Sequence, residues 1–135
     1  MRQCFESDAV RAVFDGMPAH DRETALCLRD LIFAVAAETP TVGPVEEALR
    51  WGQPAYLTPK TKSGSTLRIG LIQQGGCAIF AHCATDIIST YAAMFPGCDQ
   101  IEGNRAVVFT SADAIEPARL RFLIYHGLTY HLKLS

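Results

Sequence analysis

The stretch that decides the fold is TLRIGLIQQGGCAIFAH, residues 66–82. Residues 66–71 alternate as a half-buried strand does, and they place three apolar side chains on one face: Leu67, Ile69 and Leu71. Residues 74–76 favour a turn, because the two glycines adopt backbone conformations that other residues avoid. A second strand is predicted at residues 77–82. The stretch therefore predicts two antiparallel strands of one sheet.

Apolar residues at helical spacing predict helices on both sides of this strand pair. The predicted helices are residues 8–15, a longer segment beginning at Pro18, one or two turns within residues 44–50, a segment starting at Thr85 or Asp86, and a closing segment from about Pro117. Further strands are predicted from about Ala55 and at residues 106–109, and residues 58–65 are predicted to form a loop. We expect an α+β fold, a two-layer sandwich with helices packed on one face of an antiparallel sheet of about four strands. The length predicts a single domain, residues 1–135.

Composition and charge narrow the classes of function. Twelve Lys and Arg residues against fourteen Asp and Glu residues give a net charge of −2, which argues against a nucleic-acid partner. The N-terminal residues lack the apolar core of a secretory signal, and the longest apolar run, residues 31–37, is far shorter than a membrane span. We therefore expect a cytoplasmic protein with no membrane partner.

The cysteines do not indicate a disulfide framework or a metal site. They are odd in number and irregularly spaced: Cys4, Cys27, Cys77, Cys83 and Cys98. No pair has the CxxC spacing, and the nearby His82 does not complete a zinc pattern with them. Free thiols are expected, with no metal and no cofactor.

Three stretches of the chain together resemble the YdhG-like family of small bacterial domains of unknown function. These are WGQPAY at residues 51–56, IFAHC at residues 79–83, and FP at residues 95–96 followed by EGNRAVVF at residues 102–109. The resemblance implies an α+β sandwich with an antiparallel sheet. One branch of that family is described as frataxin-like, so an iron-binding or iron-carrier role is one implied function.

The charges on the first two predicted helices bear on the iron hypothesis. Weak iron binding of the frataxin type needs a ridge of exposed carboxylates. Here acidic and basic residues are interleaved: Asp8, Asp15, Asp21, Glu23 and Asp30 with Arg11, Arg22 and Arg29. Interleaved signs are typical of a solvated face whose charges pair with one another.

The residues most suited to binding a ligand come from the family-like stretches and from the first strand of the strand pair. They combine aromatic, guanidinium, imidazole and amide groups: Trp51, Tyr56, Arg68, His82, Asn104 and Arg105. One interpretation is a small cleft with an aromatic wall and guanidinium groups, which would bind a small anionic molecule or a peptide of a protein partner without catalysis. The alternative is structural, with Trp51 filling one end of the core and Arg105 pairing with Glu102 across a turn.

Cys83 supports a second hypothesis, a thiol-dependent enzyme or redox sensor. It lies just before a predicted helix, whose N-terminal dipole would lower the pKa of the thiol. A nucleophilic cysteine would need an imidazole from elsewhere, such as that of His126 or of His131, which is predicted to lie on the apolar stripe of the last helix. The alternative is a small, inert, buried side chain. An exposed sheet edge would also allow a homodimer.

Overall fold

The computed structural model describes residues 4–132 and contains four α-helices and six β-strands. The helices are α1 (Asp8–Asp15), α2 (Ala19–Glu38), α3 (Ile87–Met94) and α4 (Pro117–Leu128). The strands are β1 (Glu46–Arg50), β2 (Gln53–Leu57), β3 (Leu67–Leu71), β4 (Cys77–Phe80), β5 (Gln100–Glu102) and β6 (Ala106–Phe109). All neighbours pair antiparallel, in the order β1-β2-β3-β4-β6-β5. The α+β class is confirmed, with six strands where about four were expected.

One face of the sheet packs against the helices and forms the main core. Leu67 and Ile69 of β3 are fully buried there, as their alternation predicts, and they share the core with Leu28 and Ile32 of α2. Burial of each such side chain contributes roughly 1.5–3 kcal/mol. This layer therefore fixes which face of the sheet points inward and which is left for other contacts.

A charged group is buried between α2 and the sheet. The guanidinium of Arg29 donates to Glu47, with 2.6 Å from Nε to Oε2 and 2.9 Å from Nη2 to Oε1. The hydroxyl of Tyr56 donates to the same carboxylate at 2.7 Å. Burial of the phenol, together with the Glu47 charge, raises the pKa of Tyr56 well above its ordinary value. The cluster links α2 to the first two strands.

The predicted helical turns within residues 44–50 are wrong, because Glu46–Arg50 is strand β1. The proline and the two glutamates are typical of a helix start, but the strand pairs in full with β2, from Glu46 opposite Leu57 to Arg50 opposite Gln53. The side chain of Glu47 is also the partner of the buried Arg29. Long-range pairing and this buried contact outweigh the local helix preference.

Two further details differ from the sequence-based expectations. Strand β5 was not predicted, since its three residues are too few to show a pattern. Helix α4 ends at Leu128, so His131 lies beyond the helix in an exposed position and not on its apolar stripe. The backbone N–H of His131 instead donates to the carbonyl of Ser63 at 2.7 Å, which brings the end of the chain to the loop before β3.

The opposite face of the sheet carries a smaller apolar cluster made of strand residues. Its members are Ala78, Phe80, Ala106 and Val108, with Ile72 packed against them. Arg68 is on this face as well, since it stands opposite Phe80 in the β3–β4 pair. Among the helices of residues 4–132, none has both the length and the apolar character needed to cross a membrane.

Candidate functional site

A cleft of about 590 Å³ lies next to Arg68, where several segments of the chain meet. It is lined by Arg50, Trp51, Gly64, Ser65, Thr66, Arg68, Ala81, His82, Cys83, Arg105 and His131. The size is within the range of pockets that hold a small molecule. The lining comes from the β1–β2 turn, the loop before β3, the end of β4, the start of β6 and the chain after α4.

Arg68 contacts two aromatic rings. Its guanidinium carbon is 5.1 Å from the ring centroid of Trp51 and 5.4 Å from that of Phe80, distances typical of cation–π contacts. Its Nη1 donates to Oε1 of Gln53 at 2.6 Å. Burial lowers the pKa of Arg68, and the nearby charge of Arg105 lowers it further. The group remains a cation at neutral pH, but its charge is only partly solvated.

Positive charge accumulates in this cleft. Three guanidinium groups line it, those of Arg50, Arg68 and Arg105, and none of its lining residues within the described chain carries a carboxylate. Arg105 donates to Glu102 at 3.2 Å. Since the two side chains are 57% and 39% exposed, water weakens the attraction and the ion pair contributes little stability. The cleft therefore has more positive than negative charge, although the whole chain carries −2.

The two imidazoles add hydrogen-bonding groups to the cleft. The backbone N–H of Ala84 donates to Nδ1 of His82 at 3.0 Å. Since Nδ1 must then carry a lone pair, the proton of the neutral ring is on Nε2. That N–H, with the hydroxyls of Ser65 and Thr66, supplies donors for an anionic or polar ligand.

Trp51 stands at the turn of the β1–β2 hairpin and does not fill the core. It is 84% exposed. Both central residues of the turn have a positive φ, 51° at Trp51 and 76° at Gly52, as in the two-residue turns that suit twisted hairpins. A positive φ is uncommon for any residue with a bulky side chain. The indole thus lies at the rim of the cleft, on a residue whose positive φ is unfavourable for tryptophan.

Tyr56 and Asn104 do not line the cleft. Tyr56 is fully buried on the helix-covered face, with its hydroxyl on Glu47. Asn104 binds a loop next to the cleft, since its Nδ2 donates to the carbonyls of Cys83 (2.9 Å) and Thr85 (2.8 Å). Its role in the structure is to fix the loop that carries His82 and Cys83.

Cys83 is an exposed free thiol in the cleft, which differs from the buried position that the inert alternative expected. Within residues 4–132 no hydrogen bond joins this thiol to the imidazole of His82, His126 or His131. Nδ1 of His82 accepts from the N–H of Ala84, and Nε2 of His126 lies 3.5 Å from Oδ1 of Asp86. The geometry therefore contains a thiol in cationic surroundings without a hydrogen-bonded base.

Sequence reasoning missed several lining residues. Arg50 was assigned to a helix, and His131 was placed on the last helix rather than after it. Thr66 belongs to a predicted strand and has no ligand signal of its own in the sequence. The basic side chain of Arg50 would have indicated the site only if the β1–β2 hairpin had been recognised.

No protein-family model, curated protein or solved structure matches this chain. The resemblance to the YdhG-like family thus stays an expectation.

Proposed function

We propose that the protein is a non-enzymatic binding module for a small anionic molecule, which it holds in the cleft beside Arg68 through a phosphate or carboxylate group. The observation that carries this proposal is the grouping of Arg50, Arg68 and Arg105 around one cleft whose described lining has no carboxylate. Guanidinium groups bind these anions in a bidentate way, with planar geometry matched on both sides.

The electrostatics of the cleft favour an anion. The pKa of Arg68 is lowered by burial and by the charge of Arg105, which means that its positive charge is poorly compensated in the free protein. A bound anion would supply the missing negative charge and relieve the repulsion between the two guanidinium groups. Folding brings these two positive charges together, and binding of an anion would reduce the resulting repulsion.

The cleft is also organised before a ligand arrives. Gln53 fixes the guanidinium of Arg68, and Asn104 fixes the loop of His82. Side chains held in one geometry lose little entropy on binding. The site contains no linked set of nucleophile, base and orienting group within the described residues, which is why we propose binding rather than catalysis.

The test uses the only tryptophan of the chain, Trp51, which lies against Arg68 and reports on the cleft through its fluorescence. Inorganic phosphate, pyrophosphate and citrate are titrated into the protein at low salt. Saturable changes are expected for at least one of them, and Arg68→Gln and Arg105→Gln should each weaken binding about 10-fold or more, the size of a charge-assisted hydrogen bond.

Arg121→Gln is the matched control, because Arg121 is a partly exposed arginine on α4 that pairs with Glu38, away from the cleft. It should leave the affinity unchanged. Absence of saturable binding by all three anions, or an equal loss in all three variants, would contradict the proposal.

Two alternatives have less support. For an iron carrier, no group of three or more potential ligand residues is placed to hold a metal ion within residues 4–132, and the cationic cleft would repel a cation. For a thiol enzyme or redox sensor, Cys83 is exposed in that cleft but has no hydrogen-bonded base there. Alkylation of Cys83 at a rate no faster than that of the exposed Cys98 across pH 6–9 would end the thiol hypothesis.

A further inference from the structure

Trp51 is the most exposed of the large apolar side chains that the structure describes, and it is held at the rim of the cationic cleft. We infer that the anion bound there also carries a flat aromatic ring, which stacks on the indole of Trp51. The ligand class is then a nucleoside monophosphate or a molecule of the same build, one ring joined to one phosphate. This inference rests on the anion-binding function proposed above and names its ligand.

The first argument is the backbone at residue 51. Positive φ at a two-residue hairpin turn favours Asn, Asp or Gly, and a bulky aromatic side chain there is strained. The core does not explain the residue either, because 84% of Trp51 is exposed. Tryptophan disfavours both a positive φ and this degree of exposure to water. A binding partner that contacts the indole ring explains why tryptophan occupies this position.

The second argument is the stacking already present. Arg68 occupies one side of the indole at 5.1 Å and is itself backed by Phe80 at 5.4 Å. These contacts of the guanidinium hold the indole beside the cleft. With 84% of Trp51 still exposed, the ring retains a free surface on which a planar ligand group can stack.

The third argument joins the ring to the charge. A nucleoside monophosphate needs an aromatic surface for its base and cations or donors for its phosphate. The lining of this cleft contains both, with Trp51 for the base and Arg105 and the N–H of His82 for the phosphate. Among Phe, Tyr and Trp residues, the described lining of the cleft contains one, Trp51. A single-stranded nucleic acid would need a series of such rings along a groove. The geometry thus favours one nucleotide over a polymer.

The experiment compares ligands by isothermal titration calorimetry, which does not depend on the fluorescence of Trp51. Adenosine 5′-monophosphate, ribose 5-phosphate and a ten-nucleotide single strand of thymidylate are titrated into the wild type and into Trp51→Asn, Trp51→Phe and Tyr125→Ala. The Trp51→Asn variant should fold, since asparagine suits the turn. Tyr125 is an exposed aromatic residue of α4 outside the cleft and serves as the control.

We expect adenosine 5′-monophosphate to bind about 10-fold more tightly than ribose 5-phosphate, the size that base stacking on an aromatic side chain reaches. Trp51→Asn should remove this difference between the two ligands, Trp51→Phe should retain part of it, and Tyr125→Ala should retain all of it. In the wild type, the nucleotide should also protect Cys83, and not the exposed Cys98 outside the cleft, from alkylation.

The outcomes separate the two levels of the argument. Equal affinities for the nucleotide and the sugar phosphate would overturn the ring inference and leave the anion site standing. Absence of binding by either would overturn both. Tighter binding of the oligonucleotide than of the mononucleotide, per site, would overturn the choice of a small molecule.

Discussion

At residue 51 the chain places its largest side chain in a backbone conformation that suits glycine or asparagine. The strain at a non-glycine residue with positive φ is of order 1 kcal/mol, and no burial of the indole offsets it, since 84% of Trp51 is exposed. Strained residues of this kind are common where a side chain contacts a ligand or a partner. We therefore expect that one substitution of Trp51 can raise the stability of the protein and weaken its binding of a ligand.

The corresponding prediction is that Trp51→Asn stabilises the protein. Relief of the turn strain, of order 1 kcal/mol, should exceed the loss of the contact with Arg68, so that the free energy of unfolding rises by up to about 0.5 kcal/mol. Urea unfolding followed by circular dichroism measures the effect. Trp51→Phe keeps the strain and should give no gain, so a gain of the same size in both variants would show that the turn is not its source.

A second residue-scale prediction concerns Cys77 of β4, which is fully buried. Burial, with the charge of Asp21, raises the pKa of its thiol to about 12. In the unfolded chain the thiol loses its proton near the ordinary pKa of about 9, whereas in the folded chain it stays protonated. Above that pH, ionisation stabilises the unfolded state, so the free energy of unfolding falls as the pH rises. Between pH 8 and pH 10, about 1 kcal/mol of stability should be lost through this group.

Cys77→Ala should reduce that loss, although it lowers stability at pH 8 by leaving a small cavity. Urea unfolding in the presence of a reductant at pH 8 and pH 10 gives the four free energies that are needed. Cys98→Ala, at an exposed site, is the control and should keep the full difference between the two pH values. The same pH dependence in Cys77→Ala as in the wild type would assign the loss to other groups.

At the scale of elements, the helices and the central strands follow from the sequence, whereas the outer strands do not. Helix α1 matches the predicted residues 8–15, and β6 matches residues 106–109, because a local apolar pattern determines each of them. Strand β1 was missed since its glutamate is buried through a partner on α2 that is distant in sequence. A local pattern contains no information about such a partner.

The contact between the loop before β3 and the end of α4 leads to an element-scale prediction. The N–H of Ser65 donates to the carbonyl of Gly127 at 2.9 Å, and the hydroxyl of Ser63 donates to that of Leu128 at 2.8 Å. A Cβ at Gly64 would lie 2.9 Å from backbone atoms of Leu128. Gly64→Ala should therefore separate the two elements, destabilise the protein by about 1–3 kcal/mol and weaken anion binding, because Gly64 and Ser65 line the cleft.

Thermal unfolding and the anion titration test this together. Gly16→Ala is the matched control, since its Cβ would meet only ordinary contacts of 3.4 Å and longer and its φ is −78°. It should keep both properties close to those of the wild type. If Gly64→Ala bound anions as the wild type does, the loop would not be needed for the cleft.

At the scale of the whole molecule, the fold class could be predicted but the composition of the site only in part. Four of the six residues chosen from the sequence, Trp51, Arg68, His82 and Arg105, line one cleft, whereas Tyr56 and Asn104 do not. The remaining lining residues, among them Arg50 and His131, come from segments whose meeting depends on the strand order and on the end of α4. Spatial proximity of this kind requires the assembled sheet.

The charge distribution leads to a prediction for the molecule as a whole. With a net charge of −2, long-range attraction of anions is absent, so binding should depend on the local field of the cleft. Raising the NaCl concentration from about 0.05 M to 0.5 M, which shortens the screening length several-fold, should weaken pyrophosphate binding without lowering the thermal unfolding temperature. Affinity that does not change with salt would contradict a site made of guanidinium groups.

The order of the strands also has a consequence for how the protein is made. Strands β1 to β4 are neighbours in the sheet in the same sequence in which they leave the ribosome, but β4 has its second neighbour in β6, which is synthesised after α3 and β5. Until residues 106–109 emerge, the fully apolar strand Cys77–Phe80 has an unpaired edge, the kind of surface that aggregates with other nascent chains. Synthesis that pauses between residues 80 and 106 should therefore increase the fraction of insoluble product.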